Sequence, residues 1–381
     1  MTKMDLPSSE ECCGCSACFA ACPKKAIAMR PDAEGFLQPN IDADACVKCG
    51  KCTEVCPVLH SGDPSKPLAV YAAKAKDDEL RRISSSGGVF SLLSRAVLAK
   101  GGVVFGAAFE KGTHRVIHKA ARNEGELDEL RGSKYVQSDM GRTFCEVRDC
   151  LQEGKEVLFS GCPCQVAGLR AFLGKDFSNL LCVDVICHGV PSPLAWGIFL
   201  DSQAQMNKGL VLSVEARRNC SWRTFEIVSK IKKSDGKFLI RKDPIWYSVF
   251  FNELCCRLSC YTCRFRGFRS GADLSLGDFW GIENVLPEEE DKFGVSVVFI
   301  NTRLGERALN TSTHLMNIKT VTISQASKKN KGVFFDYAPS KHRGTFLQNM
   351  KVDNFHRLAH HLTDFPWWFR LLRCMKRCFL G

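Results

Sequence analysis

Residues 12–23 read CCGCSACFAACP and residues 46–57 read CVKCGKCTEVCP. Each run holds the spacing C-x2-C-x2-C-x3-C-P, at Cys12, Cys15, Cys18 and Cys22 and again at Cys46, Cys49, Cys52 and Cys56. Three thiolates this close in sequence wrap one iron–sulfur cube, and the fourth, followed by a proline that turns the chain away, serves the neighbouring cube. The spacing therefore predicts cluster I on Cys12, Cys15, Cys18 and Cys56, and cluster II on Cys46, Cys49, Cys52 and Cys22. Two structural zinc sites are the alternative, but two complete copies of this run are an unusual way to supply four ligands per ion. Cys13 is extra and reads as a packed bystander thiol. Two 4Fe-4S clusters placed so form a one-electron wire.

Further cysteines follow apolar runs. Cys162 and Cys164, in SGCPCQ, come just after Val157–Ser160, and Cys187 comes just after Leu180–Ile186. The elements that must position them are a strand over 157–160, a short helix over 165–173 and a second strand over 180–186. That is the length of a βαβ crossover, which makes the strands parallel and puts both carboxyl ends on one sheet edge, where open α/β sheets place their ligands. The three cysteines are thus candidates to meet. A distant C-x2-C pair, Cys260 and Cys263, lies near Cys255 and Cys256 and among Arg257, Arg264, Arg266 and Arg269.

The 381 residues suffice for two or three domains. The N-terminal sequence lacks a basic stretch followed by an apolar one, so no secretory signal is read and a reducing, cytoplasmic location is expected, in which the 22 cysteines serve as ligands or redox centres. No apolar run reaches the roughly 20 residues that span a bilayer. Residues 1–60 hold 6 Lys/Arg against 8 Asp/Glu, so the net charge of +12 belongs to the rest of the chain, which would attract an anionic cofactor or an acidic partner. That basic part has no recognition-helix or stacking pattern for nucleic acid. The stretch between the two cysteine runs reads as a short helix and a hairpin, PVLHSGDPSKP reads as a linker, and a strand near Leu68 opens the main domain. A Ser/Gly loop, Ser84, Ser85, Ser86, Gly87 and Gly88, then precedes an apolar-periodic helix, and its backbone N–H groups and hydroxyls suit a phosphate or pyrophosphate. No complete G-x-G-x-x-G follows a strand, so a Rossmann-type nicotinamide site is not indicated.

From about Leu68 to Phe346 the chain resembles the coenzyme F420 hydrogenase/dehydrogenase beta-subunit family. The resemblance is carried by SSSGGVFSLL (84–93), RGSKYVQSD (131–139), SGCPCQVAGL (160–169), CHGVPSP (187–193), the pair at 260 and 263, and ADLSLGDFWG (272–281). It implies a flavin-dependent iron–sulfur oxidoreductase that binds FAD in the main domain, with a third 4Fe-4S cluster beside it. The family's GTPCQ motif has threonine where this chain has Cys162. Cys164 is then the matching position, the implied third ligand set is Cys164, Cys187, Cys260 and Cys263, and Cys162 is a spare thiol. Zinc on the same four thiolates is the alternative, and Cys255 or Cys256 could replace one ligand. Lys134 suits a phosphate contact or a catalytic role and Tyr135 a ring contact. His188 is a candidate proton relay, and Asp278 caps a turn or orients a cofactor.

The expected fold class is α+β, a ferredoxin-type domain with two 4Fe-4S clusters over 1–62 followed by a mixed α/β flavin-binding domain with parallel strands. The latter divides into 68–150 and 151–346, the second part carrying the third cluster, and a basic aromatic tail follows at 347–381. The expected function is electron transfer between 4Fe-4S clusters, FAD and a small redox substrate, with coenzyme F420 a candidate. Iron–sulfur clusters pass single electrons while a deazaflavin donates a hydride, so a flavin is needed between them. The competing reading is a non-catalytic electron-transfer subunit docked on a larger redox complex.

Overall fold

The computed structural model describes residues 6–217 and 221–363. Thirteen strands form three sheets among the described residues. Near the N-terminus, β1 (Ile27–Pro31) and β2 (Leu37–Ile41) make an antiparallel hairpin. The expected helix in this stretch is absent. The chain turns instead at Asp32, whose carboxylate accepts from the Glu34 and Phe36 amides, with Gly35 at φ +85°. The helix of this segment lies earlier, at Ala17–Ala21.

The main sheet has eight strands: β3 (Ala69–Ala75), β4 (Val103–Phe109), β5 (Val116–Ala121), β6 (Val157–Gly161), β7 (Leu180–Val185), β11 (Leu274–Asp278), β12 (Ser296–Ile300) and β13 (Met316–Thr320). Their order is β13-β3-β12-β11-β7-β6-β4-β5. The central strands β4, β6, β7 and β11 are parallel, joined as the βαβ spacing predicts by the helix Pro163–Leu173 between β6 and β7. The outer pairings are antiparallel, which makes the sheet mixed.

The central strands read as continuous apolar runs because both faces are covered. Phe105, Phe159 and Cys182 face a core shared with the helices 143–152 and 163–173 and with the N-terminal segment. Val104, Leu158 and Val183 point the other way, into a core with the helix Val89–Leu98. The remaining strands, β8 (Gly209–Ala216), β9 (Ile227–Lys233) and β10 (Phe238–Asp243), form a separate antiparallel sheet that packs one face on the helices 193–206, 245–251 and 355–362. The stretch from 347 to 363, grouped by sequence with the tail, belongs to this core: Phe355 and Ala359 are fully buried. The remainder of the tail, 364–381, lies outside the described residues. Among the described residues no helix is long and apolar enough to cross a membrane.

Candidate electron-transfer site

The two cysteine runs adopt matching backbones. Left-handed residues recur at equivalent places, Gly14 and Ser16 in the first run and Lys48 and Gly50 in the second, and so curl each loop around its interior. The folded chain then crosses its ligands as the spacing predicts. A cavity is lined by Cys22, Cys46, Cys49 and Cys52, the expected cluster II set. Cys18 lies within electrostatic reach of Cys12 and Cys56, and Cys15 within reach of Cys18, which gathers the expected cluster I set. Burial, reinforced by Cys12 and Cys56, pushes the Cys18 thiol up to about 12. A bound iron cluster would offset that penalty by supplying positive charge to the thiolates.

This segment is tied to the main domain by one guanidinium. Arg257, 1% exposed, donates from Nε to the Cys12 carbonyl at 2.6 Å, from Nη2 to Leu37 O at 3.1 Å and from Nη1 to Gln137 Oε1 at 3.0 Å. Gln137 in turn donates to Cys13 O at 3.0 Å. The contact is close enough that a Cβ on Gly14 would sit 2.6 Å from the Arg257 guanidinium. On the 163–173 helix, Gly168 admits Cys15, whose sulfur would lie 2.9 Å from any Cβ there. Arg343 pairs with Glu34 and closes the other side of the interface.

The cysteines of SGCPCQ part company. Cys162 ends the strand as the N-cap of the 163–173 helix, while Cys164 lies in its first turn. The Cys162 thiol is hydrogen-bonded to Cys187 and within reach of Cys260, whereas the Cys164 thiol is hydrogen-bonded to Cys13. Cys260 and Cys263 both lie within reach of Cys187. The structure thus groups Cys187, Cys260 and Cys263 with Cys162, where the family match had chosen Cys164. The reason is the strand-to-helix turn, which leaves Cys162 on the sheet edge beside β7 and rotates Cys164 toward the ferredoxin segment. Cys255 is wholly buried in an apolar core, and Cys256 lies against Gly189 beside Cys260.

Two networks hold this group. Arg266, 8% exposed, donates to Cys187 O at 2.9 Å, Gly332 O at 2.7 Å, His188 O at 3.1 Å and Asp336 at 2.7 Å, and Asp336 also accepts from the Cys263 amide. One side chain thereby joins the 187 loop to the 260–263 loop. On the other flank, Gln165 accepts from the Cys162 amide at 2.9 Å and donates to Ser138 Oγ at 2.8 Å. Ser138 meets His118 Nδ1 at 2.8 Å, and His118 Nε2 meets Ser160 O at 3.0 Å. A carbonyl only accepts, so Nε2 carries the proton, Nδ1 accepts from Ser138, and the whole ring has a single consistent direction. Burial holds His118 neutral, its pKa lowered to about 4.

At the same carboxyl edge lies a second site. Arg217, 4% exposed with φ +53°, is paired with Asp278 and donates to Tyr135 Oη at 2.9 Å and to Trp222 O at 2.6 Å. Phe225 lies 5.0 Å from the guanidinium and Trp280 6.0 Å. The Ser/Gly loop borders it: Arg217 reaches toward Ser85 O at 3.4 Å, and Ser133 donates to Ser85 Oγ at 3.0 Å. Gly87 is pressed against the sheet, where a Cβ would lie 2.3 Å from Ala73 O. Among the described residues two buried polar atoms here, Ser86 Oγ and Arg217 Nε, lack partners. Such atoms cost about 1–3 kcal/mol each and suit a guest that carries acceptors. Ser84 is used locally, donating to Leu80 O.

Of the other sequence candidates, Tyr135 belongs to this site, its ring 4.9 Å from Tyr247 and 5.4 Å from Phe250. His188 stacks on Tyr337 at 3.7 Å, packs on Phe250 and pairs with Glu253. It stands between the Cys187 group and the aromatic patch. Lys134 points elsewhere, with its ammonium donating to the Glu129 and Arg131 carbonyls at the end of the helix Glu124–Leu130. Sequence reasoning missed Arg217, Arg266, Glu253 and Gln137, since each gains its meaning from a partner 50 or more residues away. The arginines near Cys260 were the one available signal.

Comparison with known sequences agrees with this geometry. The C-terminal part of the coenzyme F420 hydrogenase/dehydrogenase beta chain matches residues 154–326 and its N-terminal counterpart residues 70–143, while 4Fe-4S dicluster domains match 11–59 and 38–91. The chain belongs to the coenzyme F420 hydrogenase/dehydrogenase beta-subunit family. It is similar to the F-type subunit of the F(420)H(2) dehydrogenase of Methanosarcina mazei, 24% identical over 323 residues that cover 78% of this chain and 80% of that one. A chain of the F420-reducing nickel–iron hydrogenase complex from Methanosarcina barkeri aligns with a TM-score of 0.48 at 17% identity, covering 71% of this chain and 90% of that one. As a family member, the chain is an iron–sulfur electron-transfer protein of an oxidoreductase family.

Proposed function

We propose that this chain is a flavin-dependent oxidoreductase that moves electrons between two ferredoxin-type clusters, a third cluster and FAD, and exchanges them with a small redox substrate of which coenzyme F420 is the leading candidate. The third cluster is held by Cys187, Cys260 and Cys263, with Cys162 favoured over Cys164 as the fourth ligand. Four thiols placed around a sheet edge, with Arg266 hydrogen-bonded to the backbone that carries them, suit a multi-iron guest, since such outer contacts orient ligands and tune potential.

FAD is assigned to the Arg217 site. Arg217, Ser86 and the Ser84–Gly88 loop would hold its phosphates or ring carbonyls, and the aromatic side chains would cover its rings. Flavin supplies the exchange between two-electron and one-electron steps that the clusters alone cannot make. His188, paired with Glu253, would hold or move a proton at the boundary between the Cys187 group and the ring pocket. Lys134 is not assigned a role there, because its ammonium already serves helix carbonyls.

The observation that carries this reading is an unbroken succession of contacts. It runs from Cys15 through Cys13 to Cys164, one residue past Cys162 and Cys187, then by His188 and Phe250 to Tyr135 and Arg217. Anaerobic purification with iron, sulfide and flavin quantification tests it. About twelve irons and one FAD per chain are expected, and Arg217→Met should lose the flavin and keep the iron. About eight irons with zinc would remove the third cluster. A second reading, an electron-wiring subunit of a larger complex, is favoured by the relative named as a dehydrogenase subunit.

A further inference from the structure

The second sheet presents an outer face that no part of the described chain covers. Along β10 exposure alternates, with Phe238 62% and Ile240 57% exposed and Lys242 also outward. Register places Phe238 opposite Lys232 and Ile240 opposite Lys230 on β9, and Lys232 in turn opposite Leu210 on β8. Leu210 is 64% exposed, and Leu212, at the bulge between Val211 and Ser213, 39%. The opposite face of the same strands, Val211, Val214, Ile227 and Ile231, supplies the core against Trp196, Phe199 and Trp246. The outer apolar side chains are therefore not core residues that have slipped in register. Pairing fixes which face each residue takes.

The result is a central stripe of lysine flanked on both outer strands by large apolar side chains. Lys230 Nζ lies 4.9 Å from the Phe238 ring. None of Lys230, Lys232 and Lys242 is paired with a carboxylate among the described residues. Lys208, Lys233 and Lys237 crowd the turns at the Phe238 end, with Asp235 as the acidic residue of the hairpin tip.

Protein interfaces are depleted in lysine and enriched in arginine at their centres. This face has lysine at its centre, and its one arginine, Arg241, turns away to Asp243. Lysine stems that snorkel beside exposed Phe, Ile and Leu are instead the composition that binds the surface of an anionic bilayer, where each cation near the surface adds about 1 kcal/mol.

We propose that the outer face of β8–β10 docks this chain on a membrane surface that carries anionic lipid. Phe238, Ile240, Leu210 and Leu212 enter the headgroup boundary, and Lys230, Lys232 and Lys242 pair with lipid phosphates. The docking is peripheral, and the redox centres play no part in it.

Cosedimentation of the full, anaerobically purified chain with phosphatidylcholine vesicles, with and without about one-third phosphatidylglycerol, tests this. Binding is expected only to the anionic vesicles and is expected to fall as salt rises. Lys230→Glu with Lys232→Glu should weaken it about tenfold or more, as should Phe238→Ser with Ile240→Ser, with iron content and solubility unchanged in both. No binding to anionic vesicles would overturn the proposal, and this would leave the face to a protein partner. Binding unaffected by either pair of substitutions would overturn it equally, by assigning attachment to another segment such as 364–381.

Discussion

At the residue scale, the consequential distinction is between two cysteines a single residue apart. Cys162 meets Cys187 and Cys164 meets Cys13, so their replacements should differ. Cys162→Ser is expected to remove about four of twelve irons, and Cys164→Ser to keep all of them, as counted by iron and sulfide analysis. The opposite result would return the fourth ligand to Cys164. Beside them, His118 ties protonation to stability. Its folded pKa, about 4, lies below the ordinary value near 6.5, so the unfolded chain binds the extra proton first and the stability it contributes is present above about 6.5 and lost as pH falls toward 4. The span corresponds to roughly 3 kcal/mol. A fall in apparent Tm between pH 7 and pH 4.5 is expected, and His118→Gln should flatten it. Ser138 and Gln165 would keep part of the ring, but the acid-sensitive member would be gone.

At the scale of elements, the parallel strands β6, β7 and β11 deliver Cys162, the Cys187 loop and Asp278 to one edge, and the linker-joined ferredoxin segment is locked beside them by Arg257. Buried and bonded to three acceptors on three separate stretches, Arg257 cannot be replaced by a single-point donor. Arg257→Met should cost about 3 kcal/mol or more. The expected readouts are protease cleavage within residues 57–68 and slowed electron delivery from the ferredoxin clusters, while the cluster II irons, on the far side of the segment, remain. Arg257→Lys should restore little of either. If both variants resist cleavage as the parent does, the guanidinium is not the lock.

At the scale of the whole molecule, the charge is divided. The cluster-bearing first 60 residues are slightly acidic, and the domain that would meet substrate is strongly basic. Rates with an anionic acceptor should therefore fall as ionic strength rises, while rates with a neutral dye should hardly change. Flavin-dependent reduction of a dye by the purified chain alone would favour an enzyme with its own substrate. Its failure in a chain carrying full iron and FAD would favour a wiring subunit.

Much of this was legible before folding. Local spacing suffices for the eight N-terminal cysteines, because a cluster loop is a short-range device whose ligands lie three or four residues apart, and the βαβ unit around SGCPCQ follows from apolar runs of strand length. The family motifs likewise locate the Ser/Gly loop and the cysteines of the second half. What spacing cannot supply is any relation across 50 to 250 residues: Arg257 reaching back to Cys12, Arg266 joining two loops, or Arg217 gathering Asp278 and Tyr135. Nor can it say on which side of a strand-to-helix turn a thiol emerges, which is why Cys162 and Cys164 exchange places. Sequence alone determined the chemistry available to this chain, since ligand type and near-neighbour spacing are written in its order. Only tertiary structure decided which groups meet, because burial, register and helix rotation are properties of packed elements.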